Sequence, residues 1–497
     1  MSKPGTLDDR TPVIVGVGQH NQRVDAGEPT LEPVELMLTA LRAAGDDAGD
    51  TALLAKADSV RSVNVFGWRY RDPARLVANA LGCDGARTAY THIGGNVPQM
   101  VVNGACRDLA AGEADIVLVG GAEAGYSKAR MRREGVTPDW TVQDDTVEPD
   151  RWLDADVPMM AEAELARGVV MPIQIYPLYE SAWRAANGWS IDEHRRRIAE
   201  LAARMSDVAA ANPHAWNRVA YSPEQIDSPD GGNRMVGFPY RKLVNSSERV
   251  DQGAGLILTT VATARSLGLD DDRWVFPLAG TDGADTTFTS NRPTFSGSPA
   301  MRVAGRLALE LAGVEAAELT TVDLYSCFPV AVQVAAHELG LSVERDLTVT
   351  GGLPFAGGPW SNYVSHSIAT TVEVLRERRG TGLVSANGGY FTKHAFGVYA
   401  TEPSGRPYAY AKPQDEIDAA GSLPVDDSYE GDATVESCTV MHDRDETPER
   451  GIITAVTAAG TRVWGTSHDA DTMARIETTE TVGTRARIGS DGTFTFV

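Results

Sequence analysis

Of four short glycine- or serine-bearing loops, IGGN at 93–96, LYSCF at 324–328, GGP at 357–359 and ANGG at 386–389, only LYSCF carries side chains able to act as acid, base or nucleophile. Tyr325 is the leading acid–base candidate, because a phenol can hydrogen-bond a developing oxyanion and exchange a proton where its pKa is locally depressed. Cys327 shares that loop, but Leu324 and Phe328 on either side read as the surroundings of a buried, inert thiol. Ser298, Ser326 and Ser361 lack the G-x-S-x-G frame of a serine nucleophile. Tyr363, His366, Tyr390 and His394 lie in adjoining loops and are further acid–base candidates. Cys83, Cys106, Cys327 and Cys438 are far apart with no C-x-x-C pair, and the nine histidines show no H-E-x-x-H, so no metal site is expected and the compartment reads as reducing. GVGQHN at 16–21 lacks the third glycine of a dinucleotide fingerprint.

These loops need elements to hold them. Residues 90–123 read as strand, glycine turn, helix, strand and glycine turn, with Asn96 as N-cap, Pro98 in the first helical turn, Val102, Cys106 and Leu109 at helical spacing, and Gly112 as the stop. Before it come a strand at 12–18, a helix at 33–44, a strand at 57–66 and a helix at 72–81. Repeated βα units imply a parallel sheet covered on both faces. From 125 to 247 the alternation stops, and this segment, with Trp140, Trp152, Trp183, Trp189, Trp216 and a helix at 191–211, reads as a domain inserted over the sheet's edge, some of whose aromatics wall a pocket. A strand and helix at 250–266 close the first half. The second half repeats the order: strand 274–278, helix 299–311, strand 319–325, helix 330–339, strand 347–352, helix 362–378 and strand 382–389. Beyond 405 the chain alternates in β fashion through ATVESCTVMH, GIITAVTAAGTRVWGTSH, MARIETTETVGTRARIG and TFTFV, the pattern of a small barrel of OB type, joined by a Pro-rich linker at 401–414 and expected to fold by itself.

The net charge of −23 argues against nucleic acid and anionic membranes, and the barrel strands lack the basic, aromatic surface that single strands need. The polar N-terminus and the lack of a long apolar run point to a cytoplasmic protein. At 497 residues there is room for two or three domains.

The 90–123 unit with its G-G-x-E ending resembles the nucleophile region of thiolases, and the chain is identified as a member of the thiolase superfamily, in the thiolase-like branch with an additional C-terminal domain. The resemblance implies an α/β thiolase fold of two similar βαβαβαββ halves in five layers, αβαβα, with 1–268 as the first half (125–247 inserted), 269–404 as the second and 405–497 as the extra OB-like β domain. It also places Gly95 where thiolases carry the nucleophilic cysteine, Gly358 at the histidine of the G-H-P turn and Ala386 at the second cysteine, while Tyr325 takes the His place of H-D-C-F. A thiolate there is activated by the helix N-terminus, and glycine cannot carry an acyl group. The substrate-binding residues implied are Gly94, Gly95, Asn96, Tyr325, Gly357, Gly358, Gly388 and His394, with Arg241 and Lys242 facing a coenzyme A phosphate. The resemblance thus implies an acyl-CoA or lipid protein needing no cofactor, with a coenzyme A thioester as substrate and retro-aldol C–C cleavage or acyl transfer without a cysteine. A non-catalytic binding module and an acetyl-CoA acetyltransferase are the alternatives. Thiolases dimerise through the strand before the nucleophile turn, and here RTAYTHI is so polar that a monomer is expected.

Overall fold

The computed structural model describes residues 7–24 and 27–497. The first half supplies β1 (Pro12–Asn21), β2 (Ser59–Ser62), β3 (Arg87–Tyr90), β4 (Ile116–Ala124) and β5 (Arg151–Trp152). Next along the chain are β6 (Met235–Gly237), β7 (Tyr240–Arg241), β8 (Asp251–Thr260), β9 (Phe276–Ala284), β10 (Thr321–Asp323), β11 (Thr381–Gly388), β12 (Lys393–Ala400) and β13 (Ala409–Ala411). The last sheet is built from β14 (Gly431–His442), β15 (Pro448–Val456), β16 (Arg462–Ser467), β17 (Arg485–Ile488) and β18 (Phe494–Phe496).

The first sheet runs β1-β8-β4-β2-β3-β5 and the second β10-β11-β12-β9-β13. The halves match in sense: β4 is parallel to β2 and antiparallel to β8, which is antiparallel to β1, while β11 is parallel to β10 and antiparallel to β12, which is antiparallel to β9. Helix α1 (Pro33–Asp47) covers the outer face of the first sheet with α2 (Pro73–Leu81), α3 (Val97–Ala111) and the helix Tyr363–Arg378 fill the space between the sheets, and the helix Pro299–Ala312 covers the second. This is the five-layered arrangement expected. The glycines of GVG serve this packing rather than a nucleotide: a Cβ on Gly16 or Gly18 would lie 2.1 or 2.2 Å from the Ala44 or Ala40 carbonyl of α1.

Three expectations are corrected. Residues 347–352 form no strand, so the second half lacks a counterpart of β3. The buried Asp323 carboxylate accepts the N–H groups of Val349 (2.9 Å) and Thr350 (3.3 Å) and the Thr348 hydroxyl (2.8 Å), which turns the chain away from a ladder. Residues 470–478 are a helix, capped by Asp469 on the Thr472 N–H (2.8 Å) and burying Met473 and Ile476. The linker is not free: β13 pairs parallel with β9. The last sheet runs β16-β15-β14-β17-β18, with isolated parallel bridges from Thr466 to Thr493 and from Val425 to Arg462, and Met441 of β14 also pairs Gly237 of β6. Buried Arg462 donates to the Ser290 carbonyl (2.8 Å) and Trp464 Nε1 to the Ser290 hydroxyl (2.9 Å), contacts that join this sheet to the second half.

Candidate active site

Helix α3 starts after Gly94 and Gly95 and ends at Gly112, whose φ of 78° only glycine adopts freely. Gly94 N–H donates to Ser361 Oγ at 3.1 Å, which pins the turn to the GGPWSN loop. At Gly95 the absence of a side chain is dictated by space. A Cβ there would lie 2.2 Å from Tyr325 Oη and 2.4 Å from the Asn387 carbonyl. Tyr325 therefore stands over the turn, as its loop implied. Its N–H is fixed by Ser385 Oγ (2.9 Å) and its ring lies edge-on to Tyr363 at 5.6 Å. Among the described residues its hydroxyl has no hydrogen-bond partner.

The electrostatics differ from expectation. Burial, then the neighbouring Cys327 and Tyr363, push the Tyr325 phenol well above its ordinary value, so it stays protonated near neutral pH and is a donor before it is a base. Burial likewise pushes the Cys327 thiol up to about 12, which agrees with an inert thiol.

Two amides lie beside this turn, Asn96, which the sequence marks, and Asn387, while a third, Asn362, faces Gly121 of β4. Asn96 occupies the N-cap position but makes no side-chain cap. Its Oδ1 is turned between Gly94 and Gly388, lying 2.7 and 2.3 Å from where their Cβ atoms would be. Asn387 Nδ2 donates to Tyr176 Oη at 3.1 Å. Asn362 Oδ1 lies 2.1 Å from the place of a Gly121 Cβ. Asn96 Oδ1, Asn387 Oδ1 and both polar atoms of Asn362 are buried without partners, an arrangement that costs free energy unless a ligand satisfies it. Asn beside glycine pairs, in GGPWSN and SANGG, was the available signal; nothing marked Tyr176, which stacks on Phe328 at 4.5 Å from the inserted segment.

The turn that follows Asn387 and Gly388 at the end of β11 is held in an unusual form, since Gly389, Tyr390 and Phe391 all have positive φ, 59°, 53° and 74°. Buried Arg292 supports it by donating to the Phe391 carbonyl while pairing with Asp285 at 2.7 Å. Burial alone would raise the Asp285 carboxyl, but Arg292 and His394 outweigh it and hold it well below the usual range.

Several expected members lie elsewhere. His394 is in β12, 3.6 Å from Asp285 and 3.3 Å from Ser298 Oγ, so it belongs to the Arg292 network and not to Tyr325. Arg241 does not face a phosphate: Nε donates to the Asp227 carbonyl (2.8 Å) and Nη1 reaches Glu446 at 3.5 Å, because β7 pairs with β6 beside the last sheet. Lys242 is exposed on the turn after β7. Tyr363 bonds Thr350 Oγ1 (2.6 Å), His366 bonds Gln19 (2.9 Å) with burial pushing its ring down to about 3, and Tyr390 donates to the Val170 carbonyl (2.7 Å). Gly357 and Gly358 pack on Gln252 and Ser246, where a Cβ would lie 2.2 and 2.1 Å away. Ala386 is buried opposite Ala395. The tryptophans mostly pack on one another or under arginines, as Trp183 does with Trp189 and Trp216 with Arg23. Among the described residues no cluster of three His, Cys, Asp or Glu side chains is placed to hold a metal, and no helix is long and apolar enough to cross a membrane.

The crystal structure of a monomeric SCP2-thiolase like protein type 1 from Mycobacterium smegmatis is 31% identical, with 99% of this chain and 100% of that chain covered and a TM-score of 0.84. The chain is a type 1 thiolase-like protein of the thiolase superfamily. Residues 413–493 of this thiolase-like protein match the thiolase-like protein type 1 additional C-terminal domain. The Ltp2-ChsH2(DUF35) aldolase shares the fold at 17% identity and a TM-score of 0.58, covering 79% of this chain and 98% of that one. A curated relative, 17-hydroxy-3-oxo-4-pregnene-20-carboxyl-CoA lyase of Mycobacterium tuberculosis (strain ATCC 25618 / H37Rv), is 27% identical over 191 residues, 35% of this chain. The chain spans about half the length of that relative, 47%.

Proposed function

We propose that this thiolase-like protein binds an acyl-coenzyme A thioester at the Gly95 turn and cleaves a C–C bond in it by retro-aldol chemistry, with the Tyr325 phenol moving the proton. The observation that carries the reading is the unpartnered Tyr325 hydroxyl poised over Gly95 among orphaned amides. The lyase named among the relatives supports it. In this reading Gly95, Gly358 and Ala386 stand where a thiolase has catalytic groups, so Claisen chemistry through an acyl-cysteine is closed. The electron pair of the broken bond moves to the carbon next to the thioester carbonyl, and the β-hydroxyl becomes a carbonyl as its proton leaves. The α-carbon gains one proton as the β-oxygen loses one, so the neutral phenol gives its proton to the α-carbon and takes up the one that the β-hydroxyl releases, while the orphaned Asn96 and Asn387 amide oxygens are acceptors able to hold a substrate hydroxyl.

The test begins with a thermal-shift screen of coenzyme A and acyl-CoA thioesters, since binding to the folded state raises Tm by mass action. A thioester that binds and turns over is then followed in Tyr325→Phe. Loss of about 10²–10⁴-fold in turnover with binding retained supports the reading, and unchanged turnover refutes the role of Tyr325. A second reading, a thioester-binding protein without turnover, is favoured by the neutral forms in which burial holds both Tyr325 and Cys327. An acetyl-CoA acetyltransferase would need a nucleophile that Gly95 does not supply.

Further parts of the reading are division at 1–268, 269–404 and 405–497, an OB-like closure of the last sheet supported by the Thr466–Thr493 bridge, a cytoplasmic location, and a monomer. The monomer is supported by β5, which covers β3 from within the chain, with Thr88 N–H donating to Asp150 (2.8 Å) and Leu153 N–H to the Tyr90 carbonyl (3.0 Å).

A further inference from the structure

The helix Pro172–Ala186 of the inserted segment lays two phenols against the turn between β11 and β12. Tyr176 and Tyr179, at neighbouring positions on one helix face, meet edge-on with ring centres 5.9 Å apart. Tyr179 Oη donates to the Tyr390 carbonyl at 3.1 Å, and Tyr176 Oη accepts from Asn387 Nδ2 at 3.1 Å, so the two ends of the turn are held from the same helix. Tyr390 in turn donates its own hydroxyl to the Val170 carbonyl, just before that helix, at 2.7 Å.

The contact at Asn387 does more than brace the turn. A side-chain amide nitrogen carries two hydrogens, and two groups face Nδ2, Tyr176 Oη at 3.1 Å and Cys327 Sγ at 3.8 Å. Tyr176 and Cys327 are hydrogen-bonded to one another as well. Burial pushes the Tyr176 phenol well above its ordinary value and the Cys327 thiol up to about 12, so both stay neutral near neutral pH. Because the Tyr176 hydrogen is spent on Cys327, its oxygen is left as an acceptor and takes the nitrogen end of the amide rather than the oxygen end. Oδ1 is thereby turned away from both groups, a buried acceptor with no partner among the described residues.

We propose that Tyr176, backed by Cys327, is a positioning residue of the candidate site, whose hydroxyl fixes the Asn387 amide so that Oδ1 is kept free to accept a ligand's hydroxyl hydrogen. The proposal rests on the reading of Asn387 as a substrate-holding acceptor, and it names the group that makes Asn387 one. Tyr176 acts through Asn387 alone. The inserted segment thus takes part in the site without contributing a reacting group.

The orientation is tested without any ligand, by nuclear magnetic resonance of the full chain carrying isotope-labelled asparagine. The side-chain amide pair of Asn387 is the one missing from an Asn387→Ala protein. Tyr176→Phe keeps the ring that stacks on Phe328 at 4.5 Å and removes only the hydroxyl, and it should move that pair and speed its hydrogen exchange. Tyr179→Phe, which removes the hydroxyl bound to the Tyr390 carbonyl, should move it less. Cys327→Ala takes away the second acceptor, should move the same pair, and decides the matter if Tyr176→Phe does not keep a Tm near that of the parent. A pair that stays in place in Tyr176→Phe and Cys327→Ala, or that Tyr179→Phe moves as far, overturns the proposal. With a thioester that turns over in the screen, kcat/KM should fall about tenfold in Tyr176→Phe and less than about twofold when the same change is made in Asn387→Ala. Equal losses in the two backgrounds also overturn it, since Tyr176 would then act by another route. If no thioester turns over, the thioester reading fails on its own test, and the amide pair still decides whether Tyr176 holds Asn387.

Discussion

Replacing Gly95 by alanine puts one methyl group into space that two neighbours already occupy. The new Cβ would lie 2.2 Å from Tyr325 Oη, 2.6 Å from Tyr325 Cζ and 2.4 Å from the Asn387 carbonyl. Neither neighbour yields easily: Tyr325 is tied through its N–H to Ser385, and Asn387 lies in β11, paired with His394 of β12. Overpacking of this kind costs about 1–3 kcal/mol, and the backbone clash places Gly95→Ala at or above the upper end. Tyr325→Phe should not relieve it, because Cζ remains. Tyr325→Ala removes the ring but leaves the Asn387 clash, so the double variant should be more stable than the sum of the two single losses by about 1 kcal/mol or more, beyond the roughly 0.3–0.5 kcal/mol within which independent sites add. Denaturant unfolding of the four proteins supplies the cycle. A Gly95→Ala protein as stable as the parent, or an additive cycle, would refute the mutual exclusion of Tyr325 and a side chain at position 95. Gly95→Cys alone should for the same reason yield no thiolysis of acetoacetyl-CoA.

Arg292→Met strands the buried Asp285 carboxylate and should cost about 3–5 kcal/mol in denaturant unfolding; a loss under about 1 kcal/mol would mean that the pair does not hold the Tyr390–Phe391 loop. Burial raises the Glu123 carboxyl from 4.5 to about 8 against the N–H groups of Phe66 and Gly67 that draw it down. The native state thus keeps a proton that the unfolded chain releases, so the stability it contributes is complete below its unfolded pKa and is lost as pH rises toward 8. Glu123→Gln should flatten Tm against pH between about 5 and 8, and an unaltered slope would show that the carboxyl is ionised throughout. Cys327 should react with iodoacetamide only on unfolding, because its thiol is buried and pushed up to about 12; rapid labelling of the native protein, located by mass spectrometry, contradicts this.

The layered core was legible because its elements carry strong local signals. Asn96, Pro98 and Gly112 bracket α3 within a residue, and Ser190 caps the helix Ile191–Ala211 by accepting the Glu193 N–H. Where tertiary contacts decided, the sequence misled. Thr348, Val349 and Thr350 favour a strand by propensity, yet the buried Asp323 carboxylate captures their N–H and hydroxyl groups. In 470–478 the threonines and isoleucine outweighed the cap signal of Asp469 and the helical spacing of Met473 and Ile476. Within the site, Tyr325 opposite Gly95 followed from the resemblance to thiolases, which set both positions in the family's catalytic loops. The approach of Asn96 to Gly388 and of Asn387 to Gly95 was not legible, since it depends on how two halves of the chain meet face to face. Arg241 was misplaced because its partner Glu446 comes from the turn between β14 and β15, some 200 residues further on.

The short strand β5 alters what dilution does to this molecule. An open β3 edge would be completed only by a second copy, to an extent that falls with protein concentration. Here Asp150 and Leu153 complete it from within the chain, and this tether holds at any dilution. The new rim is two residues long, Arg151–Trp152, too short to template further strands. Because Trp152 also lines a groove at the carboxyl ends of β2 and β3, the segment that ends the sheet builds part of that groove as well.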